Sequence, residues 1–327
     1  MKWLLVLLLL ISQSACINTK YLPSNTIGPT IAYLPLDAQS DISQFAPVFL
    51  VEENDLLYNR IGTPSAINNE SNDLGVYVDP EKPTIYVQEL SFNTENASYK
   101  NYVYRIHFKE VPFSLFPFHL TSGKNVGLIV IVTINKNNNP VLITTVHTCG
   151  CYLSFVPTSF LAEEAYPPGW DTKKQRVYGE NLPGLLSWAE PYYNSPDSKI
   201  VILLKSGTHR VKWLSKKQLD KIKEEYHYVY SHIAPMEQLK LLGRDDEAIS
   251  FFETSGSRKG YVKESHKPFE RILMSWWAMD LYVGEDKDFG PSEKTGTLFY
   301  TSLKFWDRDQ SDMWNFRDFL SYWGWKL

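Results

Sequence analysis

Apolar and polar positions fall into two regimes along the chain. Through 45–233 the apolar residues gather in short β-branched or aromatic runs bounded by Asn, Gly, Pro or Asp. They predict strands over 47–52, 84–90, 102–110, 126–135, 140–148 and 199–205. The strongest local signal is a hairpin: 126–134 and 141–146 flank Lys136-Asn137-Asn138-Asn139-Pro140, where Asn tolerates the left-handed backbone of a tight loop. Both arms are apolar at nearly every position, which predicts a central hairpin covered on both faces.

Further on, the period lengthens. Ser215-Lys216-Lys217-Gln218 has the form of a capping box and precedes Leu219, Ile222, Tyr226 and Val229, spaced like one helical face. Pro235 and Pro268 open helices expected to run to Leu242 and Tyr282, with Gly243 and Gly284 as stops. Ser311 caps a last helix over 312–323, before Gly324. The expected fold is therefore α+β: one globular domain over 45–327, mostly antiparallel and β-rich over 45–210, helix-rich over 211–327. No internal repeat interrupts it.

The first residues belong to neither regime. Met1, Lys2 and Trp3 precede an apolar run over 4–11, then Ser12-Gln13-Ser14-Ala15-Cys16. Eight apolar residues are too few to span a hydrocarbon core, which takes about 20, so 1–15 is expected to be a signal peptide. Its end on Ser14-Ala15-Cys16 resembles the lipobox of bacterial lipoproteins. That resemblance implies acylation of Cys16 (palmitate and related chains), a membrane anchor at the mature N-terminus, and an address at the outer membrane facing the periplasm, since Ile17 rather than Asp follows the Cys. Gln13 stands where the pattern usually has an aliphatic residue, so secretion without lipid is the alternative. Residues 16–44, rich in Ser, Thr, Pro and Asn, read as the lipidated Cys and its tether.

Composition narrows the function classes. With 43% hydrophobic residues in 327, the chain can build a full core. A net charge of -4 without a basic block gives nucleic acid nothing to bind. The 10 Trp, 20 Tyr and 17 Phe are expected to serve first as core volume, including the C-terminal run Trp314, Phe316, Phe319, Tyr322, Trp323 and Trp325, which reads as a buried terminal helix rather than a membrane-facing surface.

One constellation carries chemistry. His147, Cys149 and Cys151 alternate at the end of the second hairpin arm, and alternate residues of an extended chain share a face. Imidazole and thiolate together suit Zn or Cu, with His107, Glu163 or Glu164 as further ligands. An oxidising compartment favours a Cys149–Cys151 disulfide instead, and two inert thiols beside a core His complete the alternatives. Asp280, Glu285, Asp286 and Asp288 resemble a Ca-type loop, with a solvated loop as the plainer reading. Ser206-Gly207-Thr208-His209 places a Ser and a His in one turn but supplies no Gly-x-Ser-x-Gly elbow. The expected function is a membrane-anchored periplasmic lipoprotein with a metal or thiol redox site at His147, Cys149 and Cys151. A non-catalytic ligand-binding or envelope-assembly protein is the alternative, and a hydrolase the third.

Overall fold

A computed structural model of the protein describes residues 28–36, 40–68, 74–95, 97–192, 197–243 and 248–327. Cys16 and residues 1–15, expected to be a signal peptide, lie outside them. Strands take 39% of the chain and helices 18%, so the protein is mostly β, built on a large curled mixed sheet.

Ten strands form that sheet: β1 (Ile31–Pro35), β2 (Val48–Val51), β5 (Thr84–Asn93), β6 (Ser98–Val111), β7 (Gly123–Ile134), β8 (Pro140–His147), β9 (Ser154–Pro157), β12 (Ser198–Leu204), β13 (Val211–Gln218) and β14 (His227–Pro235). Two small ribbons pair β3 (Thr63–Asn68) with β4 (Leu74–Asp79) and β10 (Gln175–Val177) with β11 (Glu180–Leu182). The sheet order is β13-β12-β2-β1-β14-β5-β6-β7-β8-β9. β14 is its seam: the first half runs parallel to β1, with Tyr33 opposite Val229, and the second half parallel to β5, with Ile85 opposite Ile233. One continuous strand thus joins two sub-sheets that would otherwise be separate.

The expected hairpin is present as antiparallel β7 and β8, with Val132 opposite Ile143 and Leu128 opposite His147. Every residue of β8 is buried, in keeping with arms that are apolar on both faces. The hairpin is not central in the sheet, however; it lies next to the β9 edge. Its two faces serve two cores. Leu128, Val130 and Val132 pack with Tyr104, Ile106 and Phe108 on one side. Ile129 and Ile131 pack with Phe251, Phe299 and Phe319 from the C-terminal third on the other. Of the terminal aromatics, Phe316, Phe319 and Trp325 are core, Trp314 and Tyr322 are half-buried, and Trp323 is exposed.

Three expectations are corrected. Residues 31–35, expected within a tether over 16–44, form instead a strand of the main sheet, buried over 32–34. The helix expected from the 215–218 box begins only at Leu219: those four residues pair with Ser198–Val201 in β13, and no side chain caps α1 (Leu219–Glu225). Pairing with β12 overrides a local capping pattern worth about 1 kcal/mol. Beyond β14 the chain is less helical than its spacing predicts. The helix opened by Pro235 is the 3-10 turn Met236–Lys240, α2 (Pro268–Ala278) stops at Met279 in the left-handed region (φ 49), and α3 is Phe316–Tyr322. Much of the C-terminal third is irregular chain spread over the sheet face, held by isolated bridges and apolar burial.

Candidate functional site

β8 ends at His147 and the chain turns at once. Gly150 N–H donates to His147 O at 2.8 Å and His147 N–H to Cys151 O at 2.9 Å, closing a tight loop around Thr148 and Cys149. Gly150 has φ +90, and a Cβ there would lie 2.1 Å from the Tyr300 carbonyl oxygen, so both conformation and close approach demand glycine. The three residues converge through this turn, not through the extended alternation the sequence suggests. Their donor atoms lie within 4.8 Å of one another. Cys149 and Cys151 are joined as a disulfide, with Cα atoms 5.5 Å apart. Cys149 is buried and Cys151 half-buried, so Cys151 is the more exposed residue of the pair.

His147 is buried, its Nε2 3.2 Å from His209 O and its ring edge-on to Tyr152. Burial, reinforced by Lys267, holds its pKa well below the ordinary value and keeps the imidazole neutral. With the sulfurs joined, this site offers a metal one nitrogen. Once they are reduced, it offers one imidazole and two thiolates, the donor set that suits Zn or Cu.

Beneath the turn lies a group of buried ions that the sequence did not announce. Lys287 donates through Nζ to Cys149 O at 2.9 Å, and its N–H bonds Thr148 O. Thr148 in turn donates to Asp286, whose other oxygen pairs with Lys267 at 2.9 Å. Lys267, Asp286 and Lys287 are all essentially inaccessible. Burial pushes the Lys287 ammonium down to about 8, against the pull of Asp280 and Asp286. Burial acts the same way on Lys267, but Asp286 and Glu270 outweigh it and leave that ammonium above its ordinary value. Glu270 is lifted by burial to about 7, and its Oε2 has no hydrogen-bond partner.

The disulfide and Glu270 both line a cleft of about 960 Å³. Cys149, Gly150 and Cys151 form one part of its wall, and Glu270 and Met274 of α2 another. Tyr300 covers the Lys287 ammonium at 4.6 Å. The facing wall carries Arg176, Lys205 and Arg210 against one carboxylate, Glu180, which accepts from Lys205 at 2.9 Å and Arg210 at 3.4 Å. Tyr152 and Tyr178, 5.0 Å apart, complete that side. The whole is a polar-edged, aromatic-walled pocket of the size that holds small molecules or a peptide segment. No family model, curated protein or solved structure matches this chain.

None of the remaining candidates joins the His-Cys-Cys group, the one metal-ligating cluster among the described residues. His107 is fully buried on the opposite face of the sheet, where Arg105 donates to its Nε2 at 2.9 Å and Phe251 packs edge-on. Glu163 and Glu164 are exposed on the 3-10 turn Glu163–Ala165. The Ca-type carboxylates do not converge, because each has its own partner. Asp280 accepts from Tyr300, Glu285 from Arg258, Asp286 from Lys267 and Thr148, while Asp288 lies 3.6 Å from Lys240. Ser206 donates to Glu53 and accepts from Asn59, while His209 stacks on Phe108 at 3.9 Å, so that turn holds no Ser–His pair.

Proposed function

We propose that the chain is an exported lipoprotein, held to a membrane through Cys16 and facing the periplasm, whose Cys149–Cys151 pair exchanges electrons with dithiol substrates in the cleft. The observation that carries the redox reading is a disulfide across one intervening residue, both of whose cysteines line the 960 Å³ cleft, with Cys151 the more exposed of the two. So short a loop removes little entropy from the unfolded chain, so stability alone is a weak reason for the bond.

The exchange balances as follows. A substrate thiolate attacks Cys151 Sγ, the Cys149–Cys151 bond breaks, and Cys149 leaves as a thiolate. The second substrate thiol then attacks the mixed disulfide and releases Cys151. Two electrons and two protons pass to the protein, the substrate becomes a disulfide, and a disulfide-bearing oxidant restores the start by the reverse steps. Glu270, on the same cleft and titrating near neutrality, is suited to take and return protons.

A second reading rests on the donor spacing: in the reduced protein His147, Cys149 and Cys151 bind Zn or Cu. Alkylation of the protein across a graded series of dithiol buffers, read by mass spectrometry, tests the first. Cys149 and Cys151 are expected to titrate together as one two-electron couple, with Cys151 alkylated first. A pair still fully oxidised in excess dithiol overturns it. Elemental analysis of the reduced protein tests the second, and a metal-free result after Zn or Cu loading removes it.

A further inference from the structure

At one end of the sheet, three segments turn large apolar side chains outward. Phe113 and Phe116 come from the loop between β6 and β7, Ile272, Trp276 and Trp277 from α2, and Trp306 from the 3-10 turn Phe305–Asp307. Their exposure is extreme for such side chains: Phe116 95%, Ile272 72%, Trp276 69%, Trp306 64%. They form one surface. Phe113 and Phe118 of the loop both pack on Phe269 of α2, at 5.5 and 5.3 Å, and Arg308 donates to the Ala278 carbonyl at the end of α2. Helix α2 buries Glu270 and Ala278, while Ile272, Trp276 and Trp277 stay exposed among the described residues. Soluble proteins seldom leave so large an apolar patch uncovered.

Three observations select a lipid bilayer as the occupant. Three of the large groups are tryptophans, whose amphipathic rings prefer the headgroup level of a membrane. Arg271 and Lys304 stand exposed among them, Lys304 at 3.7 Å from Asp307, and offer positive charge to anionic headgroups. The chain also arrives at this end. Gly28 sits against Asp55 and Glu53, Glu53 accepts from Ser206, Gly207 packs on the His119 ring, and His119 bonds the Pro112 carbonyl beside Phe113. From Cys16 to Gly28 an extended chain reaches about 40 Å at most, so the lipid anchorage proposed above holds this end near the bilayer.

We propose that this apolar end docks on a phospholipid surface, with Trp276, Trp277 and Trp306 at headgroup level and Phe116 and Ile272 inserted below. The placement by the tether rests on the Cys16 reading; the patch itself does not, nor does it rest on the disulfide. It gives the membrane a second contact beside the acyl chains on Cys16. It also sets the cleft mouth at the bilayer, because Leu120, Met274 and Leu303 of the cleft wall belong to the three patch segments or adjoin them.

The test uses protein purified as the cell processes it, incubated with vesicles of phosphatidylethanolamine and phosphatidylglycerol carrying brominated acyl chains. Bromine quenching of Trp emission reports burial of the patch, and the mass of the N-terminus separately reports lipid on Cys16. Wild type is expected to be quenched, and Phe116→Asp/Ile272→Asp, which keeps every Trp and alters only exposed positions, to lose most of the quenching and at least tenfold in partitioning. Cys149→Ser/Cys151→Ser is expected to quench like wild type, so failure of the redox reading leaves this result untouched. Absence of quenching in wild type, or equal quenching in the Asp variant, overturns the proposal. So does a dimer that the Asp variant breaks to monomer with no change at vesicles, which assigns the surface to a second copy of the chain.

Discussion

The ion pair under the site turn makes the sharpest demand of any single residue. Lys267 and Asp286 meet at 2.9 Å with both side chains out of solvent, and Asp286 also takes the Thr148 hydroxyl. Such a pair is weak evidence for stability as a whole, but removing one partner strands a buried charge. Asp286→Asn is therefore expected to lower unfolding stability by about 3 kcal/mol, near the low end for an orphaned buried ion because Glu270 also faces Lys267. Urea denaturation monitored by far-UV circular dichroism measures it. Lys267→Met/Asp286→Leu is expected to recover most of the loss; a single variant within 1 kcal/mol of wild type contradicts the burial. At this scale the sequence was half legible. The spacing of His147, Cys149 and Cys151 marked the group, read as an extended run where the chain in fact makes a tight turn. Lys267, Glu270, Lys287 and Tyr300 gave no such signal, since they reach the same place only through the fold, from segments more than a hundred residues away.

At the scale of elements, legibility followed how much of an element's partner lay nearby. β7 and β8 pair across a short loop and are apolar on both faces, so pattern and structure agree. β1 and β14 pair in parallel from nearly two hundred residues apart, and neither carries a local strand signal strong enough to be read. The first half of β14 is largely exposed, which removes the apolar alternation that announces a strand. Its importance is in the backbone. His232 has an exposed side chain, while its N–H donates to the Pro83 carbonyl at 3.0 Å where β14 passes from one sub-sheet to the other. His232→Ala is thus expected to be neutral. His232→Pro removes the donor and is expected to cost about 2 kcal/mol or more. Thermal or urea unfolding of the two variants decides it: equal stability of Ala and Pro would mean that β14 does not bind the sub-sheets at this point.

For the whole molecule, buried titratable groups set how stability follows pH. His107, His147 and His209 are all buried and neutral: burial is the first cause in each, and it brings His209 down to about 3. A depressed folded pKa contributes stability that is present above the unfolded value near 6.5 and is lost as pH falls. Glu270 works in the other direction. Raised from 4.5 to about 7, it contributes stability that is full below 4.5 and is lost as pH rises through 7. Between pH 5 and 6 the unfolded chain therefore binds three more protons on histidine and one fewer on Glu270. The net uptake of about two makes stability of the oxidised, metal-free protein climb with pH by about 2.7 kcal/mol per unit, a rise that flattens above pH 7. Glu270→Gln removes the opposing proton, so the slope over the same interval is expected to steepen to about 4 kcal/mol per unit. Urea midpoints from pH 5 to 8 for wild type and Glu270→Gln supply both slopes. A wild-type curve that is flat from pH 5 to 6.5 would show the histidines charging in the folded state, and so open to water.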